Sequence, residues 1–353
     1  MALKARTLLY AASKTFNTDK PYINYGANNK LISYESYDHN RWLLAANAAK
    51  AVLDEAQGSG IALVTDQGVD KNYRYVWETP DNSEIILAEK HAGMRYAGHF
   101  PWNYYLPSVG GYWVTFNFIK LYERNDGTPQ PWSETGGNNL LEMFNNMDPR
   151  FKQTFTTHGD YFNGDFPNMD FAKNGETNGR NAPIGGGCNG AIVHKPLPYA
   201  VQSTGNVGAI PNGLIFKLSE FYLSYAEALN EYYATPPDEA YDAVDEIRVR
   251  SGMPKLPRGL SQDEFRKRVR NERAIELAFD GHRLWDIRRW EIADEGIMKG
   301  KMYGLNQFKI TGSSEIRYEP YVFETRSFKL AMYRHPFTQN EIDKGYLIQN
   351  PGY

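Results

Sequence analysis

Hydrophobic positions recur at helical spacing in three blocks of the chain and lose that spacing between them. At about 100° per residue, Phe265, Val269, Phe279, Ile287 and Trp290 share one helical face, together with Glu272, Glu276 and Arg283. The opposite side carries Ala274, Ala278 and Trp285, with Leu277 and Leu284 between. A helix apolar nearly all round is a buried helix, so its charges must find partners. Ser261-Gln-Asp-Glu264 reads as a capping box that starts it, and Gly281 is expected to bend or interrupt it. Glu272, Glu276, Asp280, Arg283 and Asp286 are read as an internal ion-pair network. The alternative, paired catalytic carboxylates, fits the alternation of sign less well.

The second block is N-terminal. Leu3–Ala12 predicts a helix broken by Asn17 and Pro21, and the alanine-rich His39–Ala56 a second one closed by Gly58 and Gly60. Antiparallel, they would form a hairpin of the tetratricopeptide type over 1–59. In the third block, Leu214–Tyr233 predicts one helix that buries Phe221, Tyr222, Tyr225, Ala226 and Leu229. Thr235 and Pro236 then supply N-cap and N1 for Glu239–Arg250, which stops at Gly252 and Pro254. Hairpins so far apart in sequence do not predict a continuous solenoid.

Residues 60–213 have little helical periodicity. Short strands are expected at Glu84–Ala88 and Ala191–His194, a short helix at Thr115–Arg124, and a long irregular loop at Asn174–Gly190. Met298–Arg334 reads as mixed, with short strands. The fold class is therefore mainly α: tetratricopeptide-like helical hairpins with a large irregular, loop-rich insertion. Residues 1–353 are read as one domain made of a hairpin (1–59), a loop-rich aromatic region (60–213) and a hairpin with a C-terminal region (214–353).

Charge and composition narrow the function. A net charge of −3 gives no global attraction to nucleic acid, and the basic run Arg266–Arg273 is interleaved with glutamates. The single cysteine, Cys188, excludes an intramolecular disulfide and reads as an inert loop thiol. No stretch approaches the roughly 20 apolar residues of a membrane-spanning helix, and the chain opens straight into a helical pattern without an export signal. The seven histidines are scattered, and the zinc-protease motif, the phosphate-cradling loop and the serine elbow are all missing. No metal, cofactor or enzyme activity is expected, although sequence cannot pair the carboxylates that a glycosidase needs.

The chain has 25 Tyr, 18 Phe and 7 Trp, and in the middle region these sit beside Asn, Asp, Arg and His. A sugar offers an apolar C–H face ringed by hydroxyls, so its binder wants a flat ring edged by amide, carboxylate or guanidinium groups. The clusters Arg95-Tyr96, Trp102-Asn103-Tyr104-Tyr105 and Tyr112-Trp113 have that chemistry and form the candidate glycan-binding set. The competing reading is that such rings pin loops down. Trp77 is expected to pack beside a short strand, Trp132 has no assigned place, and Trp285 and Trp290 go to the buried helix without a ligand.

Asn271–Trp290, NERAIELAFDGHRLWDIRRW, resembles the C-terminal signature of the SusD/RagB family of glycan-binding outer-membrane lipoproteins of Bacteroidetes. Leu218–Glu231 resembles the helix before it and Gln339–Tyr353 the C-terminal close, while the opening ALKARTLLYAASKTFN and Asp148–Phe151 fit in order. The resemblance implies a tetratricopeptide-like fold and non-catalytic binding of oligo- or polysaccharide at the cell surface. It also implies a SusC-like TonB-dependent transporter as partner. Family members begin with an export signal, a lipidated cysteine and an N-terminal segment, so this chain is expected to lack that part. The rival readings are a helical-hairpin interaction scaffold without a small ligand and a glycoside hydrolase.

Overall fold

The computed structural model describes residues 1–89, 112–164, 166–174, 190–195 and 212–353. The chain opens with α1 (Ala2–Ala12), a 3₁₀ turn (Gly26–Leu31) and α2 (Asn40–Ser59), whose C-cap Gly60 takes a left-handed φ of 75°. Ala45, Ala46 and Ala49 are buried on α2, and their small side chains let neighbouring helices approach closely. Next come α3 (Asn72–Glu78) and β1 (Ile85–Glu89), then α4 (Phe116–Ile119), α5 (Leu140–Asn145) and α6 (Arg150–Thr154). The short strands β2 (Phe155–Thr156), β3 (Lys173–Asn174) and β4 (Ile192–Val193) complete the described part of the middle region.

The C-terminal half is β5 (Gly213–Lys217), α7 (Leu218–Tyr232), α8 (Asp238–Arg250), α9 (Gln262–Glu276) and α10 (Arg283–Arg289). A hairpin of β6 (Gly300–Lys309) and β7 (Ile316–Arg326) and a last short helix, α11 (Gln339–Ile342), follow. The described chain is mainly helical, as expected. Strands β1 and β5 pair antiparallel, as do β2 and β4, and β3 runs parallel beside β6.

Among the described residues, two large cores carry most of the packing, with smaller apolar clusters around Phe216 and around Phe328. In one, α1 packs on α2, α2 on α7, and α7 on α8 and α9, burying Leu9, Trp42, Leu223, Val244, Ile247, Phe265 and Val269. The two hairpins, distant in sequence, are thus direct neighbours in space. The other core gathers Phe116, Ile119, Tyr122, Leu140, Phe144, Phe151 and Phe155 against Leu305, Ile316 and Tyr318 of the β6–β7 hairpin. Gly136 is required here: its φ is +95°, and an added Cβ would lie 2.0 Å from the Tyr318 carbonyl oxygen.

Several expectations change. Gly213–Lys217 is a strand rather than the first turn of α7, because these residues pair with β1. Helix α8 starts at Asp238, with Pro237 extended at its N-cap, rather than at Pro236. Pro236 precedes another proline and is held out of the helical region. Residues 298–334 hold two long strands, paired antiparallel from Gly300↔Arg326 to Lys309↔Ile316 with a bulge between Met302 and Tyr303.

The buried helix also ends earlier than its pattern suggests. The capping box Ser261/Glu264 starts α9 as expected, but the helix stops at Glu276, and Phe279 (φ 63°) and Gly281 (φ 80°) turn the chain before α10. The face is therefore not continuous. Trp285 is 50% exposed, and Leu284 and Phe279 are also exposed, which corrects the buried assignment of Trp285. Trp290 is buried, its indole N–H donating to Glu227 Oε1 at 2.7 Å.

Candidate functional site

The charges of α9 face inward. Arg150 Nη1 donates to Glu272 Oε1 at 2.5 Å and Glu276 Oε2 at 3.1 Å, and its other nitrogen reaches Asp148 at 2.7 Å. Arg250 and Lys217 meet Glu276 Oε1 at 2.5 and 3.3 Å, and Arg248 bridges Glu272 to Glu123. Lys217 and Lys195 both reach Asp280, at 2.9 and 2.7 Å. A second cluster sets Glu227 and Asp286 against Arg273 and Arg289. Glu272, Glu276, Asp280 and Asp286 are thus all in ion pairs, most of whose partners come from other elements. No described ion pair includes Arg283.

Burial works to raise the Glu276 carboxyl, but Arg250, Lys217 and Arg150 outweigh it and hold it well below the usual carboxylate range. Burial likewise pushes the Lys195 ammonium down to about 7, with Asp280 pulling the other way. Glu272 and Glu276 have side chains almost without solvent contact and oxygens saturated by cations. They join elements and are closed to solvent.

An open cleft lies next to this network. It holds about 660 Å³ between α3 and the α5–α6 corner, within the usual range for small-ligand sites. Lys71, Arg74, Tyr75 and Glu78 reach it from α3 at spacings of three, four and seven residues, which put them on one helical face. Asn72, Tyr73, Val76 and Trp77 occupy the buried face, and Arg74, although it lines the cleft, is itself buried. From the other wall come Phe144, Asn145, Pro149, Lys152 and Gln153, with Asp70 and Asn125 at the rim.

The polar floor of the cleft is fixed. Arg74 Nε donates to Glu78 Oε1 at 2.5 Å, and Gln153 accepts from the Arg74 N–H while donating to the carbonyls of Val69 and Pro149. Lys152 is held by Asp160 at 2.9 Å and Thr157 at 2.6 Å. Three cations, Lys71, Arg74 and Lys152, face two carboxylates, Asp70 and Glu78, and Asp160 outside the lining holds Lys152, so the cleft offers donors, acceptors and the half-buried Tyr75 ring without a strong net field. Such a lining suits a polyhydroxylated neutral ligand. Among the described residues, no group of histidine, cysteine or carboxylate side chains could hold a metal ion.

Of the sequence-derived glycan set, Tyr112 and Trp113 fall within the described residues. Arg95, Tyr96, Trp102, Asn103, Tyr104 and Tyr105 lie outside them, as does Cys188. Tyr112 is 44% exposed. Trp113 is half-buried, bridged to Ile192, with its ring edge-on to Phe171 at 5.0 Å. Trp132 packs edge-on against Phe116 and Tyr318, so it belongs to the second core. Trp77 packs as expected, but from helix α3, donating to Asp280 Oδ1 at 3.0 Å. The α3 cleft was not anticipated. Its signal was the three-, four- and seven-residue spacing of Lys71, Arg74, Tyr75 and Glu78 opposite an apolar face.

Comparison with known proteins places these features in context. The model of the SusD family matches residues 62–353. SusD-like proteins P25 and P2 of Formosa agariphila are 29% identical over 134 residues and 36% over 91. These matches take in 37% and 24% of this chain but only 25% and 18% of the relatives. Among solved structures, a SusD-like protein of Bacteroides fragilis superposes with a TM-score of 0.73 at 25% identity, over all of this chain and 64% of that one. A SusD-like carbohydrate binding protein of the same species gives a TM-score of 0.62 at 19% identity, over 86% of this chain and 60% of that one, a likeness of fold alone.

Proposed function

The chain belongs to the SusD family, and from that premise we propose that it binds oligo- or polysaccharide at the cell surface without cleaving it. The bound glycan then passes to a SusC-like TonB-dependent transporter in the outer membrane. The observation that carries this reading is the match of residues 62–353 to a glycan-binding family. The carbohydrate binding named for the Bacteroides fragilis relative agrees with it.

Two places on the chain have the required chemistry. One is the aromatic set Arg95, Tyr96, Trp102, Asn103, Tyr104, Tyr105, Tyr112 and Trp113. The other is the α3 cleft, where Tyr75 supplies a ring and Lys71, Asn145 and Glu78 supply polar edges. Stacking removes apolar sugar surface from water at roughly 25 cal/mol per Å², and the amides and charges then select orientation. Contacts of this size give weak single sites, strengthened when a polymer engages several at once. Residues 1–353 act as one binding unit in this reading, with its helical hairpins as scaffold. Among the described residues no helix is long and apolar enough to cross a membrane, and surface attachment is assigned to a lipid anchor of the family type.

Isothermal titration against a panel of neutral and acidic polysaccharides tests the proposal. Saturable heat with at least one polymer is expected, weakened in Trp102→Ala and Tyr75→Ala. A folded protein that binds none of them refutes it, and release of reducing sugar would assign it to the hydrolases instead.

A further inference from the structure

A second concavity lies where α1, α10 and the C-terminal segment meet. It holds about 570 Å³ and is walled by Phe16, Trp285 and Phe337. Through Tyr10, Phe16 and Ile32 it continues into a chamber of about 340 Å³ beside Leu31 and Tyr34. Trp285 is 50% exposed and Leu31 75% exposed, so the groove and its rim form a large uncovered apolar surface. Surfaces of this kind mark sites of association.

The charge of the groove is one-sided. The chain carries 42 acidic residues, yet none lines either chamber, where Lys30, Arg288, Arg334 and His335 gather. Arg289 is committed to Glu227 and Asp286, whereas Arg288 and Arg334 have no carboxylate partner among the described residues. Arg288 Nη1 meets His335 Nε2 at 2.8 Å, and Arg334 Nη2 donates to the Ile32 carbonyl at 3.2 Å. The Nε donors of both arginines are buried without a partner. A bound carboxylate would give these guanidiniums a counter-ion.

In the larger chamber three neutral polar side chains are already occupied. Asn350 Nδ2 donates to the His335 carbonyl at 2.7 Å, Thr15 to that of Arg288 at 3.0 Å, and Tyr333 to Asp294 at 2.5 Å. A sugar would find rings but few free edges for its hydroxyls. A second copy docking by a two-fold axis would bring the same acid-free cationic surface against this one.

We propose that the groove bounded by Trp285, Arg288, Arg334 and Phe337 is a docking site for a polypeptide segment carrying bulky apolar side chains and at least one carboxylate. The apolar side chains fill the space beside Trp285 and Phe337, and the carboxylate pairs with Arg288 and Arg334. This site is independent of the glycan reading.

The test is selection of random dodecapeptides displayed on phage against the whole chain, with Trp285→Ala as the counter-selection. Enriched sequences are expected to join two or more of Leu, Ile, Phe and Trp with a neighbouring Asp or Glu. A labelled peptide of that consensus should lose about tenfold in affinity, by fluorescence anisotropy, on Trp285→Ala. It should also lose to its Lys-for-Glu counterpart on Arg288→Glu/Arg334→Glu, while Arg288→Lys/Arg334→Lys keeps the original preference. Circular dichroism verifies the fold of each variant. Enriched peptides without acidic bias, or binding indifferent to Trp285→Ala, overturn the proposal. So does displacement from this groove by polygalacturonate in place of any peptide, or a dimer that Trp285→Ala dissolves.

Discussion

Replacing Glu276 by Gln keeps the shape of the side chain and removes one buried negative charge. The three cations around it, Arg150, Lys217 and Arg250, have side chains at most 4% exposed, so water cannot take over the lost contacts. Breaking a buried ion pair from one side costs about 3–5 kcal/mol, because the remaining charge stays desolvated. For 353 residues the unfolding entropy is about 740 cal/mol/K, so that loss lowers Tm by about 4–7 °C. A surface pair supplies the contrast. Arg317 and Glu319 also touch, but their side chains are 38% and 44% exposed. Glu319→Gln should cost less than about 1 kcal/mol. Urea unfolding followed by tryptophan fluorescence, with calorimetric Tm alongside, measures both variants. If Glu276→Gln is no more damaging than Glu319→Gln, the carboxylate is not a joint and the assignment of this network as structural is wrong.

Other predictions follow from the same geometry. Between pH 7 and 9 the unfolded chain holds a proton on Lys195 that the folded chain releases, because burial brings this amine from 10.5 down to about 7. Stability should therefore rise with pH across that window by at most about 3 kcal/mol. The lowered carboxyls of Glu276 and Asp280 stay ionised there and Tyr73 is raised above it, so the rise should vanish in Lys195→Met; an equal rise in both proteins refutes it. Gly136→Ala forces a methyl against the Tyr318 carbonyl at a positive φ and should cost at least about 2 kcal/mol in urea unfolding. A neutral change would mean that the 136–137 strip does not pair with β7. Tyr75→Ala should weaken glycan binding several-fold in titration calorimetry with Tm nearly unchanged, since the ring is only half-buried; unaltered affinity would remove the α3 cleft from the binding surface.

Helices were legible in the sequence where local signals agreed with packing. The capping box at Ser261 and the alanine spacing of α2 placed the starts of α9 and α2 within a residue. Legibility failed where a distant strand or a backbone turn decided the outcome. Leu214–Phe216 has apolar residues that suit a helix, and only the edge of β1 makes it a strand. Trp285 fits the α9 periodicity, yet the positive φ angles at Phe279 and Gly281 rotate it to the surface. The carboxylates of the network were readable, whereas their cations come from other elements, Arg248 and Arg250 from the preceding helix α8 and Lys217 and Arg150 from farther away in sequence. The α3 cleft needed two walls, and sequence periodicity supplies only one.

The direct contact of α2 with α7 has a consequence for variation. Everything from residue 60 to 212 is a single excursion whose two ends are clamped by the helical layer. The entropy of closing such an excursion grows only with the logarithm of its length, roughly 0.6 kcal/mol for each doubling. Changes of length are therefore tolerated in its irregular stretches, away from Tyr73, Glu84, Glu123, Arg150 and Lys195, which tie it to α8, α9 and the turn after α9. A new ligand preference can be grafted there while the helices that hold it stay as they are.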